Sequence, residues 1–181
     1  MASMTKPEIR SFIRQRKQAL LSESRLTLAA GRLLACLQKR ADFSSAKVVM
    51  LYCALPDEVP TLGVLKHWGA QKQLLLPVVE GEEMYVKTFA LGEQMRHGAL
   101  NILEPQGKVF SALSTIDLIL VPGLAFDLRG HRCGRGKGYY DRFLAQPEVQ
   151  AKTIGVGFDF QCLPDIPTDA HDVVLDDLIL V

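Results

Sequence analysis

Hydrophobic and polar positions change their period several times along the chain, and those changes divide it into elements. In TKPEIRSFIRQRKQALL, Ile9, Phe12, Ile13 and Arg16 recur at intervals of three and four, the spacing of one helical face. Thr5 stands at the N-cap, Pro7 falls in the first turn, and Glu8 follows Thr5 by three, as in a capping box. Leu26, Ala29, Ala30, Leu33, Leu34 and Leu37 predict a second helix from about Ser22 to Arg40. The pattern then changes to short continuous apolar runs, KVVMLYCA, QLLLPVV and DLILVPG, as expected for strands covered on both faces. Between the first two, TLGVLKHWGAQ reads as a helix begun at Thr61, with Trp68 at a core position, which makes a β-α-β unit. MYVKTFAL predicts a hairpin return after the EGEE turn, YYDRFLA a helix ending near Pro147, TIGVGFDF a buried strand, and DVVLDDLILV one or two more.

Strands alternating with helices predict one α/β domain over residues 1–181, with helices over about 5–40 and an α/β core over about 47–181. Ligands of such sheets bind beyond the carboxyl ends of the strands. Two loops leave those ends with unusual chemistry: LPDEVPT after the first strand and GLAFDLRGHRCGRGKGYYD after the third.

Composition narrows the function classes. The 181 residues are 48% hydrophobic and 23% charged, a globular balance. A net charge of +1 gives no global field toward nucleic acid or a membrane, so any anion site is local. Cys36, Cys53, Cys133 and Cys162 form no CxxC pair and read as reduced thiols. The chain shows neither a signal-peptide core nor an apolar run of about 18 residues, which predicts a cytoplasmic protein. Met1 to Ser3 reads as a start remnant.

The candidate chemistry is concentrated in GRGKGYYD. Glycines at alternate positions, Gly134, Gly136 and Gly138, let backbone N–H groups converge on a phosphate oxygen, and the helix that follows adds its positive end. Arg135 and Lys137 supply full charges, and Arg132 a third. This is not a Walker A loop, because Gly138 rather than Ser or Thr follows Lys137. Nor is it a dinucleotide fingerprint, because Tyr139 holds the place of the last glycine. Asp141 is the candidate ligand for a metal accompanying the phosphates. The alternatives are a solvated turn, or a nucleotide- or RNA-binding module with a tyrosine for stacking. Lys6 and Arg10 share one helix face and could clamp a polyphosphate, or form a solvated basic face. Asp57 and Glu58 could hold a donor-rich ring, or close a polar turn. Asp172 is a further metal candidate, and His171 beside it reads as incidental.

Taken in order, Lys6-x-x-x-Arg10, Asp57-Glu58, NILEP at 101–105, the long VPGLAFD to GRGKGYYDRFL block and the closing PTDAHDVVLD resemble the 5-formyltetrahydrofolate cyclo-ligase family over nearly the whole chain. The resemblance implies a three-layer α/β/α fold like that of the ribose-5-phosphate isomerase and CoA-transferase group. It also implies an ATP- and Mg2+-dependent closure of 5-formyltetrahydrofolate to 5,10-methenyltetrahydrofolate by a monomer that binds no nucleic acid. By the same resemblance, Lys6, Arg10 and the segment from Arg132 to Tyr140 bind ATP, including Gly134, Gly136, Gly138, Tyr139 and Tyr140. Arg135 and Lys137 face the transferred phosphoryl group and are the catalytic pair. Glu58, Arg135, Tyr139 and Phe126 contact the folate, with or without a polyglutamate tail, and Asp141 and Asp172 position Mg2+. Cys133 stands where the family usually has Leu, a point of expected oxidation sensitivity. No stacking aromatic is found near Leu100, which leaves Tyr52 and Tyr85 as substitutes.

Overall fold

The computed structural model describes residues 4–92, 95–98 and 102–181. Met1 to Ser3, Leu100 and Asn101 lie outside the described residues. Helix α1 (Lys6–Leu20) begins where predicted, with the Glu8 carboxylate accepting from the Thr5 N–H and hydroxyl, both at 2.7 Å. Helix α2 (Glu23–Lys39) is capped by Ser22, whose hydroxyl accepts from the Arg25 N–H. A short α3 (Ala41–Ser45), not anticipated from the sequence, then lays Phe43 against Trp68, ring centroids 4.7 Å apart.

The core follows as β1 (Val48–Met50), α4 (Leu62–Trp68), β2 (Gln73–Glu80) and β3 (Glu83–Phe89), then the small pair β4 (Arg96–His97) and β5 (Leu103–Glu104). After β6 (Leu118–Pro122) come the two-residue strands β7 (Ala125–Phe126) and β8 (Arg132–Cys133), then α5 (Tyr139–Leu144), β9 (Lys152–Gly157) and β10 (Asp177–Leu180). The main sheet runs β10-β9-β6-β1-β2-β3, parallel except for the β2–β3 hairpin.

Both faces of this sheet are covered, which is why its strands are apolar without alternation. Side chains still alternate in direction. Val49, Leu74, Leu76, Leu118 and Leu120 meet α2, α3 and α4, whereas Met50, Leu75, Ile119 and Val121 meet α5 and the loops around it. Helix α1 belongs to neither layer. Its Ile9 and Ile13 pack on Leu124, Ala125 and Cys133 of the β7–β8 hairpin, which ties the first helix to the strand ends.

The structure places one expected contact residue away from the cavity. Phe126, expected to touch folate, is fully buried. Its ring lies over Gly155 and Gly157 of β9, where a Cβ at either would come within 2.8 Å of it. Glycines two apart on one strand face leave the slot that this ring fills. Cys133 is likewise fully buried under α1, and burial pushes its thiol pKa up, so it is no exposed oxidation point. Among the described residues no helix is long and apolar enough to cross a membrane.

Candidate active site

The loops after β1 and β6 meet α1 and the segment before β10 around one cavity of about 640 Å³. Its two ends differ in chemistry. At one end stand Lys6, Arg10, the loop from Gly134 to Gly138, and Asp169, His171 and Asp172; at the other, Tyr52, Leu55, Glu58, Pro77, Val79, Met84, Ile102 and Glu104. Cationic side chains beside an apolar slot with two carboxylates, Glu58 and Glu104, suit a polyanion next to a flat heteroaromatic ring.

The glycine loop has the conformation its spacing suggested at two positions. Gly136 and Gly138 take φ of +101° and +67°, a region that disfavours side chains. Gly136 also lies against the guanidinium of Arg10, whose Nε donates to the Gly134 carbonyl at 3.0 Å. Arg10 thus joins the loop. Lys137 is exposed at the cavity and forms no ion pair with a described residue. Helix α5 has only six residues, so the positive charge at this end comes mainly from side chains.

Several expected ligands are already engaged. Arg132 is buried, with Nη2 donating to Asp141 at 2.6 Å and Nη1 to the Pro122 carbonyl at 3.3 Å. It braces the loop more than it offers charge. Lys6 donates to Asp169 at 2.6 Å and Asp172 at 2.5 Å. Burial alone would lower its pKa, but the two carboxylates outweigh that and raise it. Arg135 reaches across the cavity, donating through Nε and Nη2 to Glu58 at 3.2 and 3.0 Å and through Nη2 to Asp57 at 2.5 Å. Here too burial opposes the charged form, and the Glu58 and Asp57 charges overcome it.

Among the described residues, the group of three that could hold a cation is Asp169, His171 and Asp172, with ligand atoms within 4.8 Å of one another, and Asp141 is not among them. His171 falls in that group beside Asp172. These carboxylate oxygens are donors that fit magnesium, and the Lys6 ammonium already shows that the position attracts positive charge.

Sequence reasoning missed Lys17. It is 4% exposed and donates to the Asp57 carbonyl at 2.6 Å and its carboxylate at 3.1 Å, which fixes the loop after β1. Asp127, also missed, is fully buried and closes the β7–β8 turn by accepting from Arg129, His131 and Ile166 backbone N–H groups. Tyr139 lines the cavity, with its hydroxyl donating to the Gly81 carbonyl at 2.9 Å. Tyr140 also lines it, but its buried hydroxyl has no hydrogen-bond partner among the described residues. Of the two substitute aromatics, Tyr52 lines the cavity with its hydroxyl tied to the Val59 carbonyl, whereas Tyr85 stands outside it.

Residues 2–181 match the family model described as the 5-formyltetrahydrofolate cyclo-ligase family. A Mus musculus 5-formyltetrahydrofolate cyclo-ligase is 32% identical over 200 residues, covering 99% of this chain and 97% of that protein. The Escherichia coli (strain K12) 5-formyltetrahydrofolate cyclo-ligase is 28% identical over 175 residues, covering 91% and 93%. Among solved structures, an Aquifex aeolicus 5,10-methenyltetrahydrofolate synthetase superposes with a TM-score of 0.86 at 34% identity, over 98% of this chain and 90% of that one.

Proposed function

The chain belongs to the 5-formyltetrahydrofolate cyclo-ligase family, and from that premise we propose how its cavity divides the work of ATP-dependent closure of 5-formyltetrahydrofolate to 5,10-methenyltetrahydrofolate. ATP lies at the basic end, its phosphates between Lys6, Arg10, Lys137 and the loop from Gly134 to Gly138. The pterin lies at the apolar end, its adjacent N–H donors on Glu58 and its flank against Tyr139. The observation that carries this division is the single cavity joining the two ends, with Arg135 spanning them.

The chemistry explains why both ends are needed. A formamide oxygen is a poor leaving group, so N10 cannot displace it directly. In the proposed sequence the formyl oxygen attacks the γ-phosphorus and ADP leaves, which generates an iminium phosphate. N10 then adds to the activated carbon, gives up its proton, and inorganic phosphate departs as the methenyl bridge forms. The chain contributes alignment and neutralisation of charge on the moving phosphoryl group, the two largest contributions in phosphoryl transfer. Arg135 and Lys137 are the groups placed to neutralise it, and no covalent nucleophile is required. Magnesium, brought with ATP, would supply further neutralisation. Asp172 and Asp169 would hold it, with Asp141 nearer the loop and bound to Arg132.

The test is the near-ultraviolet absorbance of the methenyl product with 5-formyltetrahydrofolate, magnesium and ATP, against a control lacking ATP. ATP-dependent growth is expected. Lys137→Ala should slow it on the order of a hundredfold if the ammonium acts on the transition state. No growth from folded, ATP-binding protein would overturn the assignment.

A further inference from the structure

Arg135 is placed to neutralise the moving phosphoryl group and Glu58 to hold the pterin, yet here they satisfy each other. Both Nε and Nη2 of Arg135 point at one carboxylate oxygen of Glu58, while the other oxygen accepts from the Leu55 N–H at 3.0 Å. A guanidinium presents neighbouring N–H donors in a plane. The 2-amino and N3–H edge of a pterin presents the same pattern. We infer that Arg135 is a built-in occupant of the pterin subsite, which the incoming folate displaces toward the triphosphate, so that ATP meets its full set of cations only when folate is bound. The inference rests on the assignment of Glu58 to the pterin.

Three features make such an exchange feasible. Arg135 lies between Gly134 and Gly136, the latter at φ +101°, so the backbone carrying it is little restrained. Asp57, its second partner, keeps an ion pair with Lys17 when Arg135 leaves. Glu58 is nearly buried, and its charge is poorly tolerated alone. Its partners therefore exchange one for another: the pterin takes the carboxylate as the guanidinium goes to the phosphates. Binding of the two substrates must then be positively coupled, and coupling of this kind is reciprocal. The device also withholds Arg135 from ATP in the absence of an acceptor.

Calorimetric titration of a non-hydrolysable ATP analogue, with and without saturating 5-formyltetrahydrofolate, tests it. Wild-type protein should bind the analogue at least about fivefold more tightly with folate. Glu58→Gln, and independently Asp57→Asn, should tighten the analogue several-fold without folate, because each loosens the clamp. Arg135→Ala should make affinity for the analogue indifferent to folate. Equal affinity with and without folate in wild-type protein that still forms methenyl product would overturn the exchange and leave the proposed function standing. Coupling that survives in Arg135→Ala would also overturn it, by tracing the effect to direct contact between the substrates. Absence of product from the wild type would instead remove the assignment on which the exchange rests.

Discussion

Replacing Tyr140 with phenylalanine removes one oxygen atom and should have opposite signs in two assays. The hydroxyl is buried without a partner among the described residues. Burial first, and the Glu58 charge second, push its pKa well above that of an ordinary phenol. A desolvated hydroxyl with no hydrogen bond costs the folded protein about 1–3 kcal/mol. Tyr140→Phe keeps the ring, which faces the Arg132 guanidinium at 5.6 Å, so packing is unchanged and the cost is relieved. Taking the lower end, about 1 kcal/mol, a domain of this size should gain about 2–4 °C in Tm. Tyr140 lines the cavity and its hydroxyl feels the Glu58 charge, so a polar atom of bound folate is expected to complete it. Loss of one such bond, about 1 kcal/mol net, should raise the KM for 5-formyltetrahydrofolate about fivefold, with the KM for ATP unchanged. Thermal melting without ligands and steady-state titration of each substrate read the two effects separately. A fall in Tm would refute the reasoning, since it would mean that the hydroxyl is already satisfied. An unchanged folate KM would remove the hydroxyl from the pterin pocket.

Three further outcomes follow from the geometry. Gly155→Ala places a methyl 2.6 Å from Leu178 and 2.8 Å from Phe126; urea unfolding should show a loss of about 1–3 kcal/mol, and a neutral result would mean that Phe126 is not wedged there. Asp42 is held below the carboxylate range chiefly by its bond to Arg40, and Asp172 by Lys6 against the opposing effect of burial. Depressed folded pKa values give stability that is complete above the unfolded value near 3.9 and is lost as pH falls through the folded ones. Tm should therefore hold from pH 7 to 5 and drop below about 4, with a shallower drop in Asp42→Asn. Cys53 lines the cavity, but burial, then the Glu104 charge, pushes its thiol up to about 12. Its alkylation at pH 8 should be at least about tenfold slower than that of a free thiol near 8.5, the loss of thiolate being partly offset by its greater nucleophilicity, as followed by mass spectrometry; rapid labelling would contradict this.

The sheet was legible because burial on two faces leaves continuous apolar runs, and GRGKG because alternate glycines between cations have few other uses. The β7–β8 hairpin was not legible: strands of two residues have no period to detect, and its turn is organised by Asp127, whose burial only the fold reveals. That Phe126 lies in the core was not legible, because an aromatic beside a site loop looks the same whether it faces ligand or core. Gly155 and Gly157, two apart on one strand face, were the available signal for a large ring above them. Lys17 had a signal as well. It continues the spacing of Ile9 and Ile13 by four, so it falls in the buried stripe of α1 and had to have a buried partner. The engagement of Arg135 with Glu58 is set by residues 77 apart and has no local trace.

Helix α1 holds the cavity through Lys6 to Asp172, Arg10 to Gly134 and Lys17 to Asp57, across separations of 166, 124 and 40 residues. Ribosomes deliver these partners at very different times. The sheet pairs strands at most 69 residues apart, as Val49 with Leu118, whereas the two longest of these closures must wait for the strand-end loops, and contacts of such sequence separation form slowly. Recovery of catalysis during refolding should thus lag behind recovery of secondary structure, which would make turnover a clock for the last step of assembly.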